Sequence, residues 1–170
     1  SRGLGDVYKR QDLLAMMPVP FVLSHSSAKA VYDHPRNLDD ARLRKLAKAG
    51  GVIQVNAYGG YLIDTAKTPE RTQAEEALSR QLGGWEGMGI EQGVALLKAE
   101  QALDHEHPVR HASLDDFFAH FEHILKVVGP EHVGIGLDWD GGGGLSDLPD
   151  VSQLPKITCL LYTSDAADER

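Results

Sequence analysis

Pro20-Phe-Val-Leu-Ser-His-Ser-Ser27 is the stretch on which the reading of the fold turns. Phe21, Val22 and Leu23 make a short apolar run, and Ser24-His25-Ser26-Ser27 follow it at once. Such a run reads as a buried strand with polar groups gathered at its carboxyl end. Two later stretches repeat the plan. Val52–Asn56 (VIQVN) runs into Ala57-Tyr58-Gly59-Gly60, and His132–Leu137 (HVGIGL) runs into Asp138-Trp139-Asp140 and four glycines.

Helical patterns lie between these strands. Asn37 is expected to cap a helix with Asp39 and Asp40 in its first turn, Lys45 and Lys48 in its last, and Leu43, Leu46 and Ala47 as its apolar stripe. Gly50-Gly51 should stop it. Thr68 and Pro69 open a second helix reaching Leu82, Gly83, Gly84 and Gly87 break it, and Ile90 to His105 forms a third. Leu114–Val128 has Phe117, Phe121, Ile124 and Val128 on one face of a fourth. Strands that alternate with helices imply right-handed crossovers, a parallel sheet and the α/β class. In barrels and open sheets alike, such folds place ligand chemistry at the carboxyl edge of the strands.

The chain has 170 residues and a net charge of −8, a poor match for a phosphate backbone, so no nucleic-acid partner is expected. The longest stretch without Asp, Glu, Lys or Arg, Leu13–Ala28, is broken by prolines, serines and His25, and offers no membrane segment. One cysteine, Cys159, excludes an internal disulfide scaffold and a Cys-rich zinc module. Ser1–Gln11 and Cys159–Arg170 resemble translated adapter or vector sequence. The expectation is therefore a non-native leader at 1–11, a native portion of a longer protein at 12–158, and a non-native tail at 159–170. No compartment is read from these residues; a bacterial protein, cytoplasmic or exported, is expected.

Several groups could carry chemistry. Gly134, Gly136 and Asp138 should share one strand face, with open space beneath a carboxylate able to move a proton or hold a metal, although Asp and Gly also suit a simple turn. His25 could ligate zinc or serve as a hydrogen-bonded structural histidine. Arg36, just before the expected helix start, could bind an anion with the free N–H groups, or pair with Asp33, Asp39 or Asp40. His105, His107 and His111, and the set Asp116, His120 and His123, read as solvated surface. So do Glu75, Glu76 and the run Arg71 to Arg80. Phe117, Phe118, Phe121, Met16 and Met17 read as core. Asp138 to Pro149 does not fit a calcium loop, and the glycines fit neither a phosphate loop nor a dinucleotide motif.

Taken together, Pro20–Ser27, Arg36-Asn37 eleven residues after His25, and Gly134-Ile-Gly-Leu-Asp-Trp-Asp-Gly resemble the renal (membrane) dipeptidase family of zinc peptidases. Gly50-Gly-Val-Ile-Gln-Val-Asn-Ala-Tyr and Asp150-Val-Ser add to the likeness. The resemblance implies the C-terminal portion of a (β/α)8 TIM barrel, an incomplete barrel of about three parallel strands with helices. It implies two zinc ions in the whole enzyme, a dipeptide substrate and a homodimer. His25 matches a metal ligand, Arg36 the arginine that holds the substrate carboxylate, and Asp138 the acid that moves protons; Asp140, Asn56 and Tyr58 fall in supporting places. The remaining zinc ligands have no match here, so this portion alone is expected to bind zinc weakly and to be inactive. Another metal-dependent amidohydrolase-type barrel, or a non-catalytic barrel that binds a carboxylate, are the alternatives.

Overall fold

The computed structural model describes residues 20–82, 89–139 and 142–168. The elements run β1 (Val22–Ser26), α1 (Asp40–Lys48), β2 (Val52–Val55), the single turn α2 (Gly59–Leu62), α3 (Pro69–Leu82), α4 (Ile90–Glu106), α5 (Leu114–Val128), β3 (Val133–Ile135) and α6 (Pro155–Asp168). Short 3-10 turns at Pro130–His132 and Val151–Gln153 precede β3 and α6. The sheet order is β1-β2-β3 with both pairs parallel, as the alternation of strand and helix requires.

Residues 65–110 form one compact unit, and the sheet with its helices forms the other. In the sheet unit, Ile53 and Val55 of β2 are fully buried, as are Leu43 of α1 and Phe117 and Ile124 of α5. Leu46, Phe118 and Phe121 complete this layer. The apolar stripes of α1 and α5 therefore cover one face of the sheet, at the 3.6-residue spacing that the sequence shows. On the other face Val22 remains 58% exposed.

The boundaries differ from expectation in informative ways. The capping residue of α1 is Asp39, whose side chain accepts the Arg42 N–H at 2.9 Å, and not Asn37. Asn37 is drawn inward instead, and its Nδ2 donates to Tyr32 O (2.9 Å) and Tyr61 O (2.7 Å). Gly50 adopts φ +75° beyond α1, the left-handed turn that a helix stop needs. The third strand is shorter than His132–Leu137, because His132 belongs to the 3-10 turn that follows Gly129 at φ +82°.

His120 corrects the reading of Asp116, His120 and His123 as a solvated face. It is completely buried, while His123 is half-buried against Asp40 at 2.7 Å. Arg71 corrects the same reading of α3. It is 6% exposed and binds Glu75 (2.7 Å), Asp104 of α4 (2.7 Å) and His107 O (2.9 Å), so an ionic cluster joins the two helices of the smaller unit. Met16, Met17, Gly83, Gly84 and Gly87 lie outside the described residues. Among the described residues no helix is long and apolar enough to cross a membrane.

Candidate functional site at the carboxyl edge of the sheet

The three strands are parallel, so Ser26, Val55 and Ile135 end at one edge, and the loops that follow carry the residues singled out above. At β1 the register slips. Leu23 faces Ile53, but Ser26 faces Val55, so three steps on β1 match two on β2. The extra residue is a β-bulge over Ser24-His25, a device that bends a strand and re-aims a side chain. His25 is thus the penultimate residue of β1, not the residue after it. It is half-buried, and its Nδ1 lies 2.8 Å from Ser24 Oγ. With Nδ1 engaged by the hydroxyl, Nε2 is the nitrogen left for a metal, the arrangement in which ligating imidazoles are held.

The chain then leaves β1 and returns. Leu38 N–H donates to Ser27 O (2.9 Å) and Lys29 N–H to Leu38 O (2.8 Å), closing the loop that carries Arg36. The buried Ser26 hydroxyl donates to Arg36 O at 2.8 Å and fixes the Arg36 backbone beside the strand end. The guanidinium carbon lies 5.4 Å from the centre of the Tyr61 ring, a cation–π distance. His34 stacks obliquely on Tyr61 at 4.6 Å, and Tyr61 on Tyr58 at 4.7 Å. Burial, and then the Arg36 charge, hold the His34 imidazole below its ordinary pKa, which suits its Nδ1 to accept the Arg36 N–H (3.1 Å). Nearby, Asp33 is bound to Lys29, Asp39 to Arg42, and Asp40 to Arg44 and His123.

Asn56 follows β2 and is completely buried; its Oδ1 accepts the Ser27 hydroxyl at 3.2 Å, joining the first two strand ends. Tyr58, 39% exposed, forms a bridge with Gly144. The glycine run explains this contact. Gly143 N–H donates to Asp138 O (2.7 Å) and Gly144 N–H to Ala57 O (3.0 Å). A Cβ on Gly143 would lie 2.0 Å from Leu137 O, so only glycine lets the chain fold back over the ends of β2 and β3.

Asp138 itself has φ +58°, in the left-handed region, and is half-buried. The expected open space beneath it is corrected. A Cβ on Gly136 would meet the Ser24 carbonyl oxygen at 2.1 Å, and one on Gly134 would meet Gln54 Cγ at 3.4 Å. Gly136 lets backbones close up, and Gly134 lies in ordinary contact with Gln54 and Val52, so neither leaves a hollow. The curl that results carries the end of β3 across β2 to the end of β1. Ser24, just before His25, thereby approaches Gly136, two residues before Asp138. An open cleft of about 550 Å³ is lined by Ile135, Leu137, Asp138, Trp139 and Leu154. It reaches the edge only at Asp138 and includes neither His25 nor Arg36. Asp140 lies outside the described residues. Among the described residues no three His, Cys, Asp or Glu side chains gather as a metal site, so His25 can supply only part of one.

Three features of this edge escaped the sequence reading: the bulge, the Tyr58–Tyr61–His34 stack, and His120. Only the last left a local trace, a polar residue between Phe117 and Phe121 on an apolar stripe.

Residues 9–170 match the family model described as Membrane dipeptidase (Peptidase family M19). The chain belongs to the membrane dipeptidase family. Among curated members, an uncharacterized dipeptidase of Schizosaccharomyces pombe is 30% identical over 161 residues, which is 94% of this chain and 29% of that protein. An uncharacterized protein of Klebsiella pneumoniae from the pqqA 5′ region is 28% identical, over 85% of this chain and 39% of that one. The chain therefore spans well under half the length of these relatives. Among solved structures, the probable dipeptidase PvdM of Pseudomonas aeruginosa superposes with TM-score 0.64 at 27% identity, covering 91% of this chain and 42% of that one. A metallo peptidase of Rhodobacter sphaeroides, liganded with a phosphinate mimic of the dipeptide L-Ala-D-Ala, superposes with TM-score 0.60 at 21% identity, covering 91% of this chain and 33% of that one. These folds agree with the parallel α/β sheet described above.

Proposed function

We propose that residues 12–158 are the C-terminal part of a (β/α)8 barrel whose whole protein is a zinc-dependent dipeptidase. The observation that carries this reading is the convergence of the strand ends. Gly136 packs against the Ser24 backbone, and Ser26, Ser27 and Asn56 tie the Arg36 loop to the same edge. His25 would contribute one metal ligand through Nε2, with Nδ1 kept at Ser24. Zinc, when bound, lowers the pKa of a coordinated water and polarises a peptide carbonyl.

The remaining work falls to side chains. Arg36, steadied on Tyr61, takes the free carboxylate of the dipeptide and so orients the scissile bond. Asp138 accepts the proton of the attacking water and returns it to the leaving amine. Asn56 holds the floor between β1 and β2, Tyr58 walls the pocket beside Arg36, and Asp140 stands near Asp138 in sequence as support. One imidazole cannot hold zinc firmly, so this portion alone binds the metal weakly and is inactive. The test uses the full-length protein with zinc and a dipeptide. His25→Ala should lose bound metal and turnover together; retention of both would refute the ligand assignment. Dipeptide turnover by residues 12–158 alone would refute the reading of an incomplete site.

A further inference from the structure

His120 is the fully buried polar group that the proposed mechanism leaves without a task. It lies on α5, among Phe117, Phe121 and Ile124, where leucine would fill the space at lower desolvation cost. Both ring nitrogens are engaged. The Ala28 N–H donates to Nδ1 at 3.0 Å, and Nε2 lies 2.9 Å from Leu62 O. A backbone N–H can only donate and a carbonyl can only accept, so the ring is neutral and carries its proton on Nε2.

The two partners are the roots of two loops at the carboxyl edge, one carrying Arg36 and the other Tyr61. Ala28 begins the loop that carries Arg36, and it bridges to Leu38 where that loop returns. Leu62 directly follows Tyr61, the ring beneath the Arg36 guanidinium. Asn37 adds a further side-chain link between these loops, through Tyr61 O.

We propose that His120 is a positioning residue, a buried crosslink that sets the loop after β1 against the loop after β2 and so holds Arg36 on Tyr61 in line for the substrate carboxylate. Its burial keeps it from substrate, so it acts through Arg36. Without the imidazole, the buried Ala28 N–H loses its partner and Leu62 O loses a donor, and the loops must move or admit water to recover them. A shift on the order of 1 Å at an orienting group can cost large factors in rate or affinity.

This inference rests on the reading of Arg36 as the carboxylate anchor, and the experiment separates the two. Full-length protein is assayed with a dipeptide and with the corresponding dipeptide amide, which lacks the free carboxylate. Arg36→Ala tests the underlying reading: it should raise KM for the dipeptide and abolish the preference over the amide, and an unchanged preference refutes that reading whatever His120 does. Given that result, His120→Leu should raise KM for the dipeptide by roughly tenfold or more, with a smaller change in kcat, and erode the same preference. In the Arg36→Ala background it should add little. His120→Gln, whose amide retains a donor for Leu62 O, should fall between wild type and His120→Leu; if the leucine variant does not fold, the glutamine variant decides alone. An unchanged KM and preference in a folded His120 variant, or a full additive cost on top of Arg36→Ala, overturns the proposal.

Discussion

The Ser24 carbonyl oxygen lies 2.1 Å from where a Cβ on Gly136 would stand, and Gln54 Cβ lies 2.8 Å from the same point. Two strands that are not neighbours in the sheet therefore meet across the one between them, with room for hydrogen only. Neither obstacle is the far end of a flexible side chain, so Gly136→Ala must part β1 from β3. It should destabilise the full-length protein by roughly 2–3 kcal/mol in urea unfolding. Gly93→Ala is the matched control. Gly93 lies inside α4 with nothing within 4 Å of its Cβ position, and alanine there should add up to about 1 kcal/mol. Equal effects at the two positions would show that contact with Ser24 is not what makes Gly136 a glycine.

Asp138 allows charge to be separated from backbone conformation. Its φ of +58° suits asparagine nearly as well as aspartate, whereas β-branched residues are strained there. Asp138→Asn should leave thermal unfolding nearly unchanged and lower kcat of the full-length enzyme by about a hundredfold or more, with little change in KM. Asp138→Val should lose stability by about 1–2 kcal/mol as well. If Asp138→Asn kept full turnover, the proton-transfer role would be wrong.

The architecture was legible because it rests on periodicity. Leu43 and Leu46, Phe117 and Ile124, and Ile53 and Val55 are buried where their spacing places them. The ends of elements were less legible, since they depend on which polar group reaches which backbone atom. Asn37 and Asp39 are both competent caps by type; the structure uses Asp39, while the Asn37 amide nitrogen turns to Tyr32 O and Tyr61 O. What the sequence showed of the candidate residues was their place at strand ends, not their geometry. Nothing local in VLSHS reports a bulge, which exists only in the pairing with β2. The glycines before Asp138 are equally consistent with a hollow and with a close approach until the position of Ser24 is known.

Arg71 shows how a charge run on a helix can be structural. It is buried between Glu75 and Asp104, and although burial itself disfavours its charge, the hydrogen bonds and charges of those carboxylates raise its pKa on balance. Replacing it with methionine would keep much of the volume and leave two carboxylates facing each other. Because both are partly open to solvent, a loss of about 2 kcal/mol is expected, below the cost of breaking a fully buried pair. Hydrogen exchange should rise first within α3 and α4. An unaltered exchange pattern would return Arg71 to the solvated surface.

Acid offers an independent view of His120. Burial is the largest influence on its pKa and lowers it, as does nearby His123; the bonds to Leu62 and Ala28 and the charge of Asp116 oppose this without cancelling it. The folded protein thus holds the neutral ring, while the unfolded chain takes up a proton near the ordinary value of 6.5. Below that pH the unfolded state binds more protons than the folded one, so the stability linked to this group is complete above about pH 6.5 and drains away as pH falls toward the lowered folded value. The charges of Asp116 and His123 act on the same ring, so the informative quantity is the difference between wild type and His120→Gln. Wild type should lose more stability than the variant between about pH 6.5 and 5, and two parallel stability curves would mean that His120 is not held neutral in the fold.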